Sequence, residues 1–131
     1  MKVYVAAPYA DAPMVRELHN ELCGTGWEPT STWAEIADAA EDFTLSTPSQ
    51  LRKAAQANDA DIMRSHVLLV IAREGAGGEM FAEARLALVH GIPVVWVGRF
   101  VLSAWRHGVT RCATVAEGLQ ALQPAVAKTL R

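Results

Sequence analysis

The chain has 131 residues, 51% of them hydrophobic and 20% charged, with a formal net charge of -2. Residues 1–131 are expected to form one compact domain, burying roughly two-thirds of the unfolded surface. No apolar run approaches the ~20 residues of a membrane span. Lys and Arg are scattered rather than gathered in a basic stripe, so neither membrane nor nucleic acid is an expected partner.

Residues 2–6, KVYVA, alternate and favour β structure, which predicts a first strand. One Lys and a short apolar run ending at Pro8 read as that strand and not as a secretory signal. A cytoplasmic protein with Cys23 and Cys112 reduced is therefore expected. Asp11 is the candidate N-cap of a helix carrying Val15, Leu18 and Leu22 at helical spacing and stopping at Gly24 or Gly26. WEPTSTW predicts a short second strand running into a loop, and AEIADAAEDFTL reads as a short helix or a loop over a site. Thr47, Pro48 and Gln50 form a capping box with Pro at the first helical position, so a helix should run from Pro48 to about Arg64.

HVLLVIA, 66–72, is almost wholly apolar, as a strand buried on both faces would be. A glycine-rich turn, Gly75-Ala76-Gly77-Gly78, follows and leads into a helix from Glu79 to His90, with Gly91 at its end. IPVVWVG is another doubly buried strand, and VTRCA a weak one. Thr114 and Glu117 suit a second capping box, opening a last helix that Pro124 is expected to break or kink. Strands alternate with helices throughout. This predicts an α/β, flavodoxin-like (Rossmann-like) doubly wound sheet of about five mainly parallel strands, with helices on both faces.

In such a fold ligands bind beyond the carboxyl ends of the strands. The glycine run is neither GxGxxG nor a P-loop; it is either a tight turn or a place where backbone N–H groups approach a ligand. Glu79 lies in the first helical turn, where an acid complements the helix dipole. Glu83 lies one turn further in, and its side chain leans back toward the strand ends. There the dipole favours the ionised form, which could act as a nucleophile or stabilise a cation; a solvated surface Glu is the alternative. Asp59 and Asp61 sit near a helix C-terminus, where acids oppose the dipole. Trp33, after the second strand, could stack on a base or sugar, whereas Tyr4, inside the first strand, could simply pack. The histidines, 19, 66, 90 and 107, show no ligand spacing, so no metal and no cofactor are expected.

VYVAAPY, AAQANDADIMRSHVLLVI, GGEMFAEARLALVHGIPVVWVG and GVTRCATVAEGLQAL together resemble the nucleoside 2-deoxyribosyltransferase-like family. That family includes deoxyribosyltransferases and nucleoside 5′-monophosphate N-glycosidases. The resemblance implies cleavage of an N-glycosidic bond, by hydrolysis or base transfer, on a nucleoside or nucleotide. It places Glu83 at the nucleophilic glutamate and Tyr4 at a tyrosine beside it. Ala87, Gly91 and Pro93-Val94 then fall where the family has the same residues. The chain departs from the family pattern in places: the Gly78-to-Glu83 spacing is one residue longer, and Asn58 occupies the place of a second catalytic aspartate, with Asp59 next to it. A shift of one residue in helix register makes Asp59 the proton donor. His66 stands where another family aspartate is usual. Substrate contacts are expected from Ala7, Pro8, Tyr9, Trp33, Asn58, Gly77, Gly78 and Glu79. The backbone donors of APYAD or of Gly77-Gly78 would cradle a phosphate if the substrate has one. The resemblance also implies a homodimer or larger, with Leu45, Phe100, Val101, Leu102 and Trp105 as the apolar residues for it. The rival reading is a non-catalytic nucleotide-binding module on the same fold, which needs the pocket but not the second acid. Lysine-decarboxylase-like phosphoribohydrolases rank behind it, because their PGGxGT pattern is absent.

Overall fold

The structure is a computed structural model that describes residues 1–36, 47–73, 78–99 and 107–129. Five parallel strands, β1 (Lys2–Ala6), β2 (Glu28–Pro29), β3 (Val67–Ile71), β4 (Val94–Val97) and β5 (Val109–Cys112), form one sheet in the order β2-β1-β3-β4-β5. The helices are α1 (Ala12–Gly24), α2 (Trp33–Ile36), α3 (Pro48–Met63), α4 (Glu79–Val89) and α5 (Val115–Thr129). This is the doubly wound, flavodoxin-like arrangement that the alternation of elements predicts. Among the described residues no helix is long and apolar enough to cross a membrane.

The strands are apolar at nearly every position because both faces are covered. Val3, Val5, Val67, Leu69, Ile71, Val95 and Val97 face Val15, Leu18 and Leu22 of α1 and Leu122, Ala125 and Val126 of α5. The alternate positions, Tyr4, Ala6, Leu68, Val70, Val94 and Trp96, face Ile62 of α3 and Met80, Ala84 and Ala87 of α4. Helix α5 lies so close to the sheet that a Cβ on Gly118 would sit 2.5 Å from Val97 Cγ2.

Several local expectations change. β2 is two residues long: Glu28 and Thr30 N–H donate to Met1 O and Val3 O, Pro29 between them turns its nitrogen to the open edge, and the chain then leaves the sheet for α2. The predicted box at α3 is present: Gln50 N–H donates to Thr47 Oγ1 at 3.2 Å, and Thr47 N–H to Gln50 Oε1 at 2.8 Å. At α5, Glu117 N–H donates to Thr114 Oγ1, but the Glu117 carboxylate reaches back to Ala113 N–H. Pro124 does not break α5, which runs on to Thr129. Asp11 occupies the N-cap of α1 without making a side-chain cap bond.

Order β2-β1-β3 reverses the winding at β1 and β3. From β1 the chain enters α1 on one face; from β3 it enters α4 on the other. The crevice beyond the carboxyl ends of these two strands is the switch point where ligands of this architecture bind.

Candidate active site

Tyr4 and Glu83 meet beneath that crevice. Tyr4 is in the centre of β1 and fully buried. Glu83 is adjacent in the helical wheel to the buried α4 stripe of Met80, Ala84 and Ala87, so packing of the stripe draws its carboxylate toward the sheet. The residue is half-buried overall, but its Oε2 atom is inaccessible. Among the described residues neither Tyr4 Oη nor Glu83 Oε2 closes a hydrogen bond of normal length and angle, yet the two groups are close enough to act on each other's ionisation.

Burial raises the Glu83 carboxyl from 4.5 to about 7; the Tyr4 hydroxyl pulls it down, and the neighbouring charges of Glu79 and Asp59 push it up. The expectation that the helix dipole keeps Glu83 readily ionised is therefore corrected: desolvation outweighs it. Burial likewise raises Tyr4 far above the usual phenol range, reinforced by Glu83 and then by Asp61 and Glu79, so the phenol stays protonated and can only help as a donor.

The other predicted residues divide. Asp59 is exposed on α3, and its charge reaches Glu83 across the α3–α4 seam; Asn58, beside it, is half-buried. Glu79 is exposed in the first turn of α4, and its charge is felt by both Glu83 and Tyr4. Ala7, Pro8 and Tyr9 are half-buried after β1, and Gly78 stands at the start of α4. Gly77 lies outside the described residues, as do Leu45, Phe100, Val101, Leu102 and Trp105.

Trp33 is less free than its position after a strand implies. Its ring packs against both cores, and Nε1 donates to Val5 O at 2.9 Å. Tyr9 lies against it, with ring centroids 6.2 Å apart. Because β2 stops early, side chains complete the edge of β1: Ser31 Oγ accepts from Val5 N–H at 3.1 Å, alongside the Trp33 bond. Ser31 is held in turn by His19 Nε2 at 2.7 Å, and His19 Nδ1 meets Glu35 Oε1 at 2.8 Å. A carboxylate only accepts, so Nδ1 carries a proton.

Sequence reasoning missed a second clamp on this segment. Asp61 Oδ2 accepts from Thr32 N–H at 3.1 Å and Thr32 Oγ1 at 2.6 Å, while its Oδ1 accepts from Arg64 Nη2 at 3.0 Å. Arg64 Nη2 also donates to Thr30 O at 3.2 Å. This is the reason for an acid near the α3 C-terminus: Asp61 anchors the loop that carries Trp33. The only signal in the sequence was its unfavourable place on the helix dipole.

No family model matches the chain, and no curated protein matches it in sequence. Solved structures do. A 2-deoxyribosyltransferase from the psychrotolerant bacterium Bacillus psychrosaccharolyticus superposes with a TM-score of 0.68 over 89% of each chain, at 13% identity. The chain has the fold of a 2-deoxyribosyltransferase. A CMP N-glycosidase from Clostridium botulinum superposes with a TM-score of 0.60, at 13% identity, over 95% of this chain and 99% of that one. At such identity the likeness is one of fold, and it accords with the fold implied by the sequence resemblance. What the site does chemically rests on its own residues.

Proposed function

We propose that the protein cleaves the N-glycosidic bond of a nucleoside or nucleotide, with Glu83 as nucleophile. The observation that carries this reading is the Tyr4–Glu83 pair beneath the switch-point crevice, with a carboxyl group raised to about 7 and acids on two sides. Breaking a bond between a sugar and its base builds positive charge on the sugar carbon and ring oxygen. An anion that burial has destabilised gains most from a cation forming beside it. Ionised Glu83 adds to the sugar carbon as the bond to the base breaks, leaving a glycosyl ester. Asp59, ionised and exposed on the facing helix, relays a proton from solvent to the departing base. Water then attacks the ester and regenerates Glu83; a second base in place of water gives transfer. Tyr4 donates toward the carboxylate and holds part of the Glu83 population ionised near neutral pH. Trp33, which follows the clamped Thr30–Thr32 segment, and Tyr9, in the turn after β1, offer the aromatic surface for the base.

The experiment is incubation with a panel of nucleosides and 5′-monophosphates, followed by chromatography for free base. Release from at least one member is expected. Thermal stabilisation by ligands without release from any of them would replace this reading with a binding module on the same fold.

A further inference from the structure

Asp11 and Arg73 form a second polar site at the mouth of the crevice, apart from the Tyr4–Glu83 pair. Asp11 ends the turn after β1, and Arg73 follows β3 by two residues. The two come from the strands that flank the switch point, and their side chains meet there: Arg73 Nη2 donates to Asp11 Oδ1. The pair is lopsided, with the Asp11 side chain 5% exposed and that of Arg73 67% exposed. An aspartate in this place ordinarily caps the following helix, but Asp11 makes no cap bond. Its Oδ2 is buried and has no hydrogen-bond partner among the described residues. A buried carboxylate oxygen without a donor is costly to a fold and marks a place where a ligand can supply one.

The chemistry of the missing group follows from charge. Glu79 and Asp59 already hold negative charge near Glu83. A phosphate would add more, opposite a guanidinium that Asp11 has already neutralised, and its dianion has no proton to give Oδ2. A neutral hydroxyl suits both members: it donates to Asp11 Oδ2 and accepts from one of the remaining N–H groups of Arg73. We propose that Asp11 and Arg73 read a hydroxyl of the sugar and not a phosphate. This rests on the glycosidic-bond reading above. Here Arg73 orients and Asp11 recognises, and neither takes part in bond cleavage.

The test couples a change in enzyme to a change in substrate. Base release is measured as kcat/KM for a cleaved nucleoside, its 3′-deoxy and 5′-deoxy analogues and its 5′-monophosphate, on wild type, Asp11→Ala and Arg73→Ala. Wild type should lose about tenfold or more on the analogue lacking the recognised hydroxyl, because a polar site is then left unpaired. Asp11→Ala should lose a similar factor on the parent nucleoside, and less than about twofold further on that analogue. Equal losses on all sugars, or a preference for the monophosphate that Arg73→Ala abolishes, would overturn the proposal. Arg73→Ala, at an exposed side chain, keeps the test open if Asp11→Ala folds poorly. If wild type releases no base at all, the cleavage reading fails separately and melting decides. A nucleoside-induced shift that Asp11→Ala loses and Glu83→Gln keeps supports the pair; no shift in wild type sinks it.

Discussion

Replacing Glu83 by Gln should stabilise the protein while stopping its chemistry, and the gain should depend on pH. The folded carboxyl sits at about 7, against 4.5 for the ordinary group. Between those values the native state holds a proton that the unfolded chain has released. Wild type therefore loses stability as pH rises from 4.5 to about 7, and the loss is complete above that. The difference corresponds to about 3 kcal/mol, as an order of magnitude. Gln has the same shape and does not titrate. The advantage of Glu83→Gln over wild type should thus be near zero at pH 4.5 and reach about 3 kcal/mol at pH 8, roughly 10 °C in melting temperature. Urea unfolding of both proteins at the two pH values measures it. Base release by the variant should fall by several powers of ten, each ~1.4 kcal/mol of barrier. A stability difference that does not grow with pH would refute the argument, since it would mean that burial does not destabilise this carboxylate. Normal turnover by Glu83→Gln would refute the choice of nucleophile.

The same electrostatics set the behaviour of the neighbours. Wild-type kcat/KM should rise with pH through about 7 as free Glu83 ionises, and Tyr4→Phe should move this limb to higher pH because the phenol no longer eases that ionisation. An unmoved limb in Tyr4→Phe would separate the two residues. Glu79→Gln removes a like charge and should move the limb the opposite way, with turnover largely kept and at most ~1 kcal/mol of helix stability lost; a folded, ligand-binding but inactive variant would make Glu79 the chemical group instead. Gly118→Ala should destabilise by about 1–3 kcal/mol, because its Cβ would meet Val97 Cγ2 at 2.5 Å in a close-packed layer. Unchanged urea unfolding would mean that α5 can withdraw from the sheet without cost.

Local pattern carried much of the fold. Doubly apolar runs in β3 and β4, the Thr47–Gln50 box and the alternation of strands with helices each state a short-range preference, and the sheet has room for no other reading of them. Glu83 and Tyr4 came forward as candidates only through the family resemblance, since the residues alone left a surface Glu and a packed Tyr as alternatives. What the sequence could not state was their environment. A proton on Glu83 near pH 7 depends on how much water the α3–α4 seam removes and on two acids, Glu79 and Asp59, whose charges converge only when the helices pack. The anchoring of Trp33 likewise depends on β2 stopping after two residues, so that Ser31 and Trp33 turn their side chains into the unpaired edge of β1. Asp11 and Arg73 are 62 residues apart in the chain and meet only because β1 and β3 are neighbours in the sheet. Short-range preference selects the elements; desolvation and long-range contact, which exist only after packing, decide which of the acids can do chemistry.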